Sequence, residues 1–223
     1  MPNAIPIQPH DFIERVQPLL EAQDLQGLLH LLKSRWTPDQ IKDLLSSSHT
    51  DARKVACLAL GLVGTKCCIP LLAGQLKNPD PTANEMAEHA LWSIWFRCGT
   101  EPANELLTRG AAALDQRDFE QAKAHYTTAI ETDPTFAEAY NQRAIVHYLQ
   151  ERYEESIEDC QQTIDRMPCH FGAWAGMGHC HAHRGEIADA IRCYLKALQI
   201  NPHLSCVKEA VGELRRQLDN GGN

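Results

Sequence analysis

No stretch of this sequence is apolar over the length that a membrane-spanning helix requires. Such a helix takes about 20 consecutive apolar residues, and polar or charged residues interrupt every segment of the 223-residue chain before that. The opening segment, Met1 to Pro9, also lacks the basic start and the apolar stretch of a secretory signal. These absences predict a cytoplasmic protein that does not insert into a membrane.

Positive charge is in short supply as well. The chain carries 21 Lys and Arg against 29 Asp and Glu, which gives a formal net charge of −8. Residues 101–223 hold most of the excess, with 12 basic and 19 acidic residues. A chain without an overall basic surface is a poor match for a phosphate backbone, so we expect no nucleic-acid partner.

The short motifs of common enzyme classes are missing too. The sequence has no glycine-rich phosphate loop, no His-Glu-x-x-His and no Cys-x-x-Cys. The serine run at 46–48 lies with His49 in a predicted turn, away from any base and oxyanion site that would make a catalytic triad. We therefore predict a protein that is not an enzyme and that needs no cofactor.

Nine cysteines stand in a chain without a recognisable secretory signal. That combination favours a reducing compartment and free thiols over a disulfide framework. Two of the cysteines, Cys67 and Cys68, are adjacent, and neighbouring side chains on a helix point apart. We therefore expect this pair not to share a metal ion.

What the chain does have is a 34-residue period in its C-terminal half. Pro134, Pro168 and Pro202 keep this spacing, and each ends a predicted helix because proline has no N–H to donate. Other columns keep step with the prolines: Ala122, Ser156 and Ala190; Tyr126, Cys160 and Tyr194; Ala129, Thr163 and Ala197. Small side chains at fixed columns let helices approach closely, and larger ones fill the gaps. In the second unit the pattern predicts helices over 137–149 and 153–166.

These residues resemble the tetratricopeptide repeat family, whose units are antiparallel helix pairs. The resemblance covers three units, at about 103–136, 137–170 and 171–204, followed by a capping helix at about 205–218. It implies a solenoid in which the first helix of each unit lines a concave surface. Surfaces of this kind suit extended peptides and partner helices.

A different period, of 31 residues, runs through the N-terminal half. It relates Ala56 to Ala87, Ala59 to Ala90 and Leu60 to Leu91. This half resembles the short HEAT repeats of many bacterial proteins, phycobilin lyases among them, with units at about 37–66 and 67–98. Residues 9–35 add two amphipathic patterns. The resemblance raises an alternative function, that of a phycobilin-lyase-like or other ligand- or metal-binding helical-repeat protein.

The two halves together predict an all-α fold. Both repeat types are antiparallel helix pairs that stack on their neighbours. Because no Gly/Ser/Pro-rich linker separates residues 1–98 from residues 99–223, we expect one continuous right-handed α-solenoid, HEAT-like and then tetratricopeptide. Such a solenoid suits a scaffold or adaptor that binds a partner protein, and an uncapped end would allow self-association.

The tetratricopeptide resemblance also implies which residues line the peptide-binding groove. They are Leu107, Thr108, Ala111, Glu138, Asn141, Gln142, Ile145, Tyr148, Leu149, Ala175, His179, His183 and Glu209. The members between 138 and 149 are three or four residues apart, so they share one helix face. We assign Asn141 and Gln142 to peptide-backbone binding, because an amide donates and accepts hydrogen bonds and has no packing role on a helix face.

One chaperone-binding subclass of the family clamps a C-terminal carboxylate with Lys, Asn and Arg. The matching positions here are Leu107, Ala111, Gln142, Gly172 and Gly176, and none of them is basic. The resemblance therefore implies that the clamp is absent, and we do not expect the tail of a heat-shock chaperone as ligand.

The His-rich segment at 179–183 is the sharpest chemical cluster. His179 and His183 are four residues apart, a spacing that puts both rings on one helix face and that metal sites use. A structural zinc site takes four ligands, and the sequence identifies only these two. We treat them as weak metal candidates and predict groove histidines without a metal.

Overall fold

The computed structural model describes residues 6–221, which form helices and turns without a β-strand. The all-α prediction is confirmed for this part of the chain. Five residues of the segment from which a secretory signal was excluded lie outside the described residues. Across the described range, no helix combines the length and the apolar character that crossing a membrane takes.

The chain divides into two compact units, Met1–Trp95 and Phe96–Asn223. The first unit contains six α-helices, namely α1 (Pro9–Glu21), α2 (Leu25–Arg35), α3 (Pro38–Asp43), α4 (Thr50–Val63), α5 (Ile69–Gln75) and α6 (Pro81–Trp95). Short 3₁₀ turns, Leu44–Ser46 and Lys66–Cys68, lie before α4 and α5. The amphipathic patterns predicted at 9–35 are α1 and α2.

Each predicted 31-residue unit of the N-terminal half holds a short helix followed by a long one. In the first, Thr37 and Gln40 form a reciprocal capping box that fixes the start of α3. The long helices α4 and α6 pack on each other. Alanines of the 31-residue columns are buried there, with Ala56 and Ala87 both inaccessible to solvent. The repeated small residues thus mark a close helix–helix contact.

The second unit contains seven helices within the described residues. They are α7 (Glu101–Asp115), α8 (Phe119–Thr132), α9 (Ala137–Leu149), α10 (Tyr153–Arg166), α11 (Phe171–His183), α12 (Ile187–Ile200) and α13 (Ser205–Gly221). The helices predicted over 137–149 and 153–166 are confirmed as α9 and α10. Helix α13 packs on α12 and closes the series, as expected of a capping helix.

The turns inside the three repeats share one backbone conformation. Arg117, Glu151 and Gly185 each have a positive φ, between 59° and 75°, and they are 34 residues apart. The left-handed conformation reverses the chain between the two helices of a repeat. Only the third repeat uses glycine there, so the first two hold a side chain in a conformation that costs about 1 kcal/mol or more.

Glycine and tyrosine occupy two columns that face each other in the first and third repeats. A Cβ on Gly178 would lie 2.5 Å from Tyr194 Cδ1, and Gly110 faces Tyr126 at a comparably short distance. In the second repeat the same columns hold Ala144 and Cys160. A tyrosine ring leaves no room for a Cβ on the facing residue, so that residue is glycine. The smaller thiol of Cys160 leaves room for the methyl group of Ala144. A large ring in one column is therefore accompanied by glycine in the other, and a small thiol by alanine.

Candidate functional site

The first helices of the three repeats lie side by side. Helix α9 contacts α7 on one side and α11 on the other. We call the surface that these helices expose the first-helix face. The resemblance implies that this face is concave, and the predicted groove residues belong to these three helices or to α13.

The N-terminal part of α9 carries a buried carboxylate. Glu138 is 1% exposed, and its Oε1 accepts hydrogen bonds from Asn141 Nδ2 at 3.1 Å and from Gln142 Nε2 at 2.7 Å. Its Oε2 lies 2.9 Å from Nε2 of His170, which is fully buried. Three donors therefore surround the carboxylate. A buried carboxylate is tolerated only with such partners.

The tautomer of His170 follows from its second nitrogen. His170 is the N-cap of α11, and its Nδ1 accepts the backbone N–H of Ala173 at 3.0 Å. Because Nδ1 accepts, the proton lies on Nε2, which donates to Glu138. One imidazole thus caps a helix in the third repeat and holds a carboxylate in the second, so it joins the two repeats.

Four of the predicted groove residues are therefore wrong in their assigned role: Glu138 itself is buried, and the other three are Asn141, Gln142 and Leu107. Asn141 and Gln142 are only 4% and 7% exposed, and both amides donate to Glu138 instead of standing ready for a peptide backbone. The premise that these amides have no packing role fails, because they satisfy a buried charge. Leu107 is also buried, in the core formed by α7, α8 and α9.

The C-terminal part of α9 is different, because its side chains are accessible and apolar. Ile145 is 37% exposed and Leu149 is 47% exposed, with the half-buried Tyr148 between them. We call these three residues the apolar ridge. The structure places the other predicted groove residues as follows: Thr108, His183 and Glu209 are exposed, and Ala111, Ala175 and His179 are half-buried.

Aromatic rings join the apolar ridge to α11. The Tyr148 hydroxyl lies 2.9 Å from His183 Nε2, and the Tyr194 hydroxyl lies 2.7 Å from His179 Nδ1. Tyr153 stacks on His183, with ring centroids 5.2 Å apart and ring planes 14° from parallel. Both histidines are thereby engaged by tyrosines. Together the rings extend the apolar ridge onto the third repeat.

Burial shifts the pKa values of three groups in these tyrosine–histidine pairs. Burial raises the pKa of Tyr194 to about 12 and also raises the pKa of Tyr148. Burial lowers the pKa of His179, and the neighbouring His183 lowers it further. The hydroxyls therefore keep their protons and His179 is neutral near pH 7.

The metal candidates of the sequence analysis do not assemble a site within the described residues. His179 and His183 each use one nitrogen on a tyrosine. Instead, ligand atoms of His181, Glu186 and Asp189 lie within 4.8 Å of one another.

Spacing along one helix misses this second group, because it spans the turn between α11 and α12. Arginines already neutralise its carboxylates: Arg184 lies 2.8 Å from Glu186, and Arg192 pairs with Asp189. This ion pairing weakens the group as a cation site.

Comparison with known proteins agrees with the helix pairs of the second unit. The sequence profile of the tetratricopeptide repeat family matches residues 107–168 and 172–204. The C-terminal half therefore contains tetratricopeptide repeats, as its 34-residue period predicted. The matches begin at residue 107, so the HEAT resemblance of the N-terminal half stays a prediction.

Related sequences cover different shares of the chain. Over 118 residues it is 29% identical to sperm-associated antigen 1 of Rattus norvegicus, which covers 53% of this chain and 13% of that protein. The chain thus spans about an eighth of that relative's length. Over 148 residues it is 26% identical to a TPR repeat-containing protein of Rhizobium etli, which covers 66% of this chain and 72% of the relative.

Among solved structures, the first tetratricopeptide domain of Spaghetti bound to the HSP90 peptide SRMEEVD is similar in fold. The two superpose with a TM-score of 0.53 at 17% sequence identity, over 54% of this chain and 95% of the other. At this identity the likeness shows a shared helical fold alone.

Proposed function

We propose that this protein is a non-catalytic adaptor that binds an apolar segment of a partner protein on its first-helix face. The observation that carries the proposal is the apolar ridge on α9, where Ile145 and Leu149 are 37% and 47% exposed. Accessible apolar side chains in a line of helical spacing are a common docking surface for extended or helical segments. The tetratricopeptide repeats of this half support the same role.

The partner segment differs in chemistry from an acidic chaperone tail. The peptide bound by the Spaghetti domain, SRMEEVD, ends in acidic residues. The clamp positions of this chain hold Leu107, Ala111, Gln142, Gly172 and Gly176, none of which offers a positive charge. Residues 101–223 carry 12 basic and 19 acidic residues, so long-range electrostatics also disfavour such a tail. We infer an apolar segment that is neutral or basic.

Other roles rest on fewer observations. The HEAT-like half would add a second surface to the adaptor, and a solenoid end would allow self-association. The phycobilin-lyase-like alternative has only the short resemblance of residues 37–98 in its favour, and repeat folds do not fix function. A bound chromophore in protein from the native source, seen as visible absorbance, would favour that alternative.

Peptide selection tests the proposal directly. We expect the full chain to select apolar segments from a displayed library and to leave SRMEEVD unbound at micromolar concentration. Leu149→Ser should lower the affinity for the selected peptide by at least about tenfold, which is the loss expected when a central apolar contact is removed. The matched control is Leu195→Ser. Leu195 is 43% exposed but lies on α12, the second helix of the third repeat, and so is not part of the first-helix face. Equal effects of the two variants would contradict the assignment.

A further inference from the structure

Two adjacent thiols in the N-terminal unit point together. The expectation that Cys67 and Cys68 point apart on a helix is wrong, because they lie in the 3₁₀ turn Lys66–Cys68 that leads into α5. Their Sγ atoms are 3.8 Å apart. Cys67 is exposed, whereas Cys68 is buried. A reagent from solvent therefore reaches the first sulfur directly, and the second sulfur is the thiol next to it.

Cys67 Sγ lies at the centre of a small hydrogen-bonded group. It donates its proton to Oδ1 of Asp39 at 3.3 Å, and the Thr65 hydroxyl lies 3.0 Å from it. Because this proton is directed to the carboxylate, the Thr65 hydroxyl and the Cys68 thiol are the donors in their contacts with Cys67 Sγ. Both donors remain when Cys67 loses its proton, and hydrogen bonds of this kind stabilise a thiolate.

Opposite charges flank the pair. The Asp39 carboxylate disfavours a negative charge on Cys67, but Lys42 Nζ lies 2.8 Å from the same carboxylate oxygen. The pKa of Lys42 is raised, first by its hydrogen bond to Asp39, and the charges of Cys67 and Cys68 contribute in the same direction. This interaction is mutual, so the ammonium group favours both thiolates. The thiolate is the form of cysteine that reacts with an oxidant.

The two sulfurs have different roles in an oxidation. Burial raises the pKa of the Cys68 thiol, so the accessible Cys67 is the sulfur that reacts first. A cysteine oxidised to the sulfenic acid condenses with a neighbouring thiol to a disulfide. We propose that Cys67 and Cys68 are a site of reversible oxidation by a hydroperoxide, and that a disulfide between these neighbours is the product.

The oxidation consumes a single hydroperoxide molecule per chain. The Cys67 thiolate attacks an oxygen of hydrogen peroxide, so that an S–O bond forms, the O–O bond breaks and hydroxide leaves and takes a proton to become water. Cys68 Sγ then attacks Cys67 Sγ, so that the S–S bond forms, the S–O bond breaks and hydroxide leaves with the proton of Cys68 as a second water. The pair of thiols thus loses two electrons and two protons, and the peroxide is reduced to water.

The closeness of the two residues along the chain makes this disulfide easy to reduce. Successive Cα atoms are about 3.8 Å apart, whereas disulfides usually join Cα atoms about 4.4–6.8 Å apart. A disulfide between neighbours is therefore strained, and strained disulfides are the labile ones. Oxidation also removes the S–H group that Cys67 donates to Asp39. This link between the turn and α3 is lost on oxidation and restored on reduction.

Peptide mapping of the full chain after treatment with hydrogen peroxide tests the site. Trypsin cleaves after Lys66 and Lys77, so both thiols lie in the peptide 67–77. We expect brief treatment of the reduced chain with about one equivalent of peroxide to make this peptide lighter by two hydrogen atoms and inert to iodoacetamide. Dithiothreitol should restore both thiols. A wild-type peptide that keeps both thiols free, or that carries oxygen on Cys67 beside a free Cys68, would overturn the proposal.

Variants assign the two roles. Cys68→Ser should stop the reaction at the sulfenic acid of Cys67, which dimedone traps. Cys67→Ser should leave Cys68 reduced under the same treatment, because the buried thiol then has no oxidised neighbour to attack. Cys206→Ser, at the other exposed thiol, is the matched control and should leave the disulfide of peptide 67–77 unchanged.

Cys68 is buried, so its variant is interpreted only if the helical circular dichroism is unchanged. Mapping of the wild-type chain and the exposed Cys67→Ser change carry the test otherwise. Oxidation of Cys68 in Cys67→Ser, or a wild-type product in which Cys67 joins two chains, would contradict the assignment.

Discussion

The second and third repeats follow one 34-residue plan but fill it with different chemistry. In the second repeat, polar groups lie inside: Glu138 binds two amides and His170, and Arg143 makes two hydrogen bonds to the buried Asp159, of 2.8 and 2.7 Å. In the third repeat, Gly178 lets Tyr194 pack against α11. One interior is held by hydrogen bonds and the other by close packing.

This difference decides which part of the first-helix face is available to a partner. The polar groups at the start of α9 are used within the fold, so that end of the helix offers little to a ligand. The apolar ridge at the other end stays accessible, next to the rings of α11. We therefore propose that the binding surface lies where the second and third repeats meet, toward the C-terminal ends of α9 and α11.

The largest expected effect comes from breaking the polar interior of the second repeat. Glu138→Ala leaves Asn141, Gln142 and His170 without their acceptor, and each buried unsatisfied donor costs about 1–3 kcal/mol. We expect the free energy of unfolding in urea to fall by about 3 kcal/mol or more. Glu154→Ala, at an exposed glutamate on α10, is the control and should change it by less than about 0.5 kcal/mol. A small loss of unfolding free energy in Glu138→Ala would mean that the hydrogen bonds to Glu138 contribute little to stability.

The next effect probes the close packing of the third repeat. Gly178→Ala places a methyl group against the ring of Tyr194, and overpacking of this kind costs about 1–3 kcal/mol. Gly212→Ala on α13 is the matched control, because nothing lies within 4 Å of its added Cβ. That change should instead stabilise by up to about 1 kcal/mol, since alanine favours helix. Thermal or urea unfolding measures the stability change in each variant. A change of the same sign in both variants would contradict the packing account.

Acid should weaken the junction between these repeats. The pKa of His179 is lowered in the folded chain, by burial first and by His183 second, so the unfolded chain binds its proton at a higher pH. Stability from this group is complete above the unfolded pKa of about 6.5 and is lost as the pH falls from there to the folded pKa. We expect unfolding free energies to drop between pH 7.5 and pH 5.5, and His179→Gln to flatten that dependence. An identical slope in the variant would exclude His179 as the cause.

The smallest effect concerns the single hydrogen bond from the apolar ridge to α11. Tyr148→Phe removes the hydroxyl that lies 2.9 Å from His183 Nε2 and keeps the ring. Because this pair is partly open to water, we expect a loss of less than about 1 kcal/mol in urea unfolding. Affinity for a selected apolar peptide should stay within about twofold. A large affinity loss would assign the hydroxyl itself to the ligand.

Periodicity predicted the repeat fold because packing columns recur in the sequence. Helices α9 and α10 have the predicted bounds, and the glycine–tyrosine columns explain why small residues alternate with rings. The roles of Asn141 and Gln142 were not predictable in the same way. Their partner Glu138 is buried against His170, a turn residue 32 positions away whose imidazole caps a helix. Residues that recur at the same position of each repeat indicate how large a side chain packs there. They do not indicate which polar groups meet across a turn.

The prediction that the side chains of Cys67 and Cys68 point apart is wrong for a related reason. Their Sγ atoms lie 3.8 Å apart. Neighbouring residues diverge on a helix, but Cys67 and Cys68 lie in a 3₁₀ turn whose tighter winding the sequence does not signal. The 3.3 Å contact between Cys67 Sγ and Asp39 Oδ1 depends on how α3 packs beside that turn. Contacts between segments without a shared period thus lie beyond what repeat analysis can predict.

Site-specific photo-crosslinking in cells of the native source tests the central claim most directly. A photoreactive residue would replace Leu149 on the apolar ridge in one sample and Leu195 on α12 in another. The account predicts that position 149 crosslinks to an apolar segment of a partner protein, that Ile145→Ser removes the product, and that position 195 gives no such product. Crosslinking to the same segment at position 195 and not at 149 would contradict it.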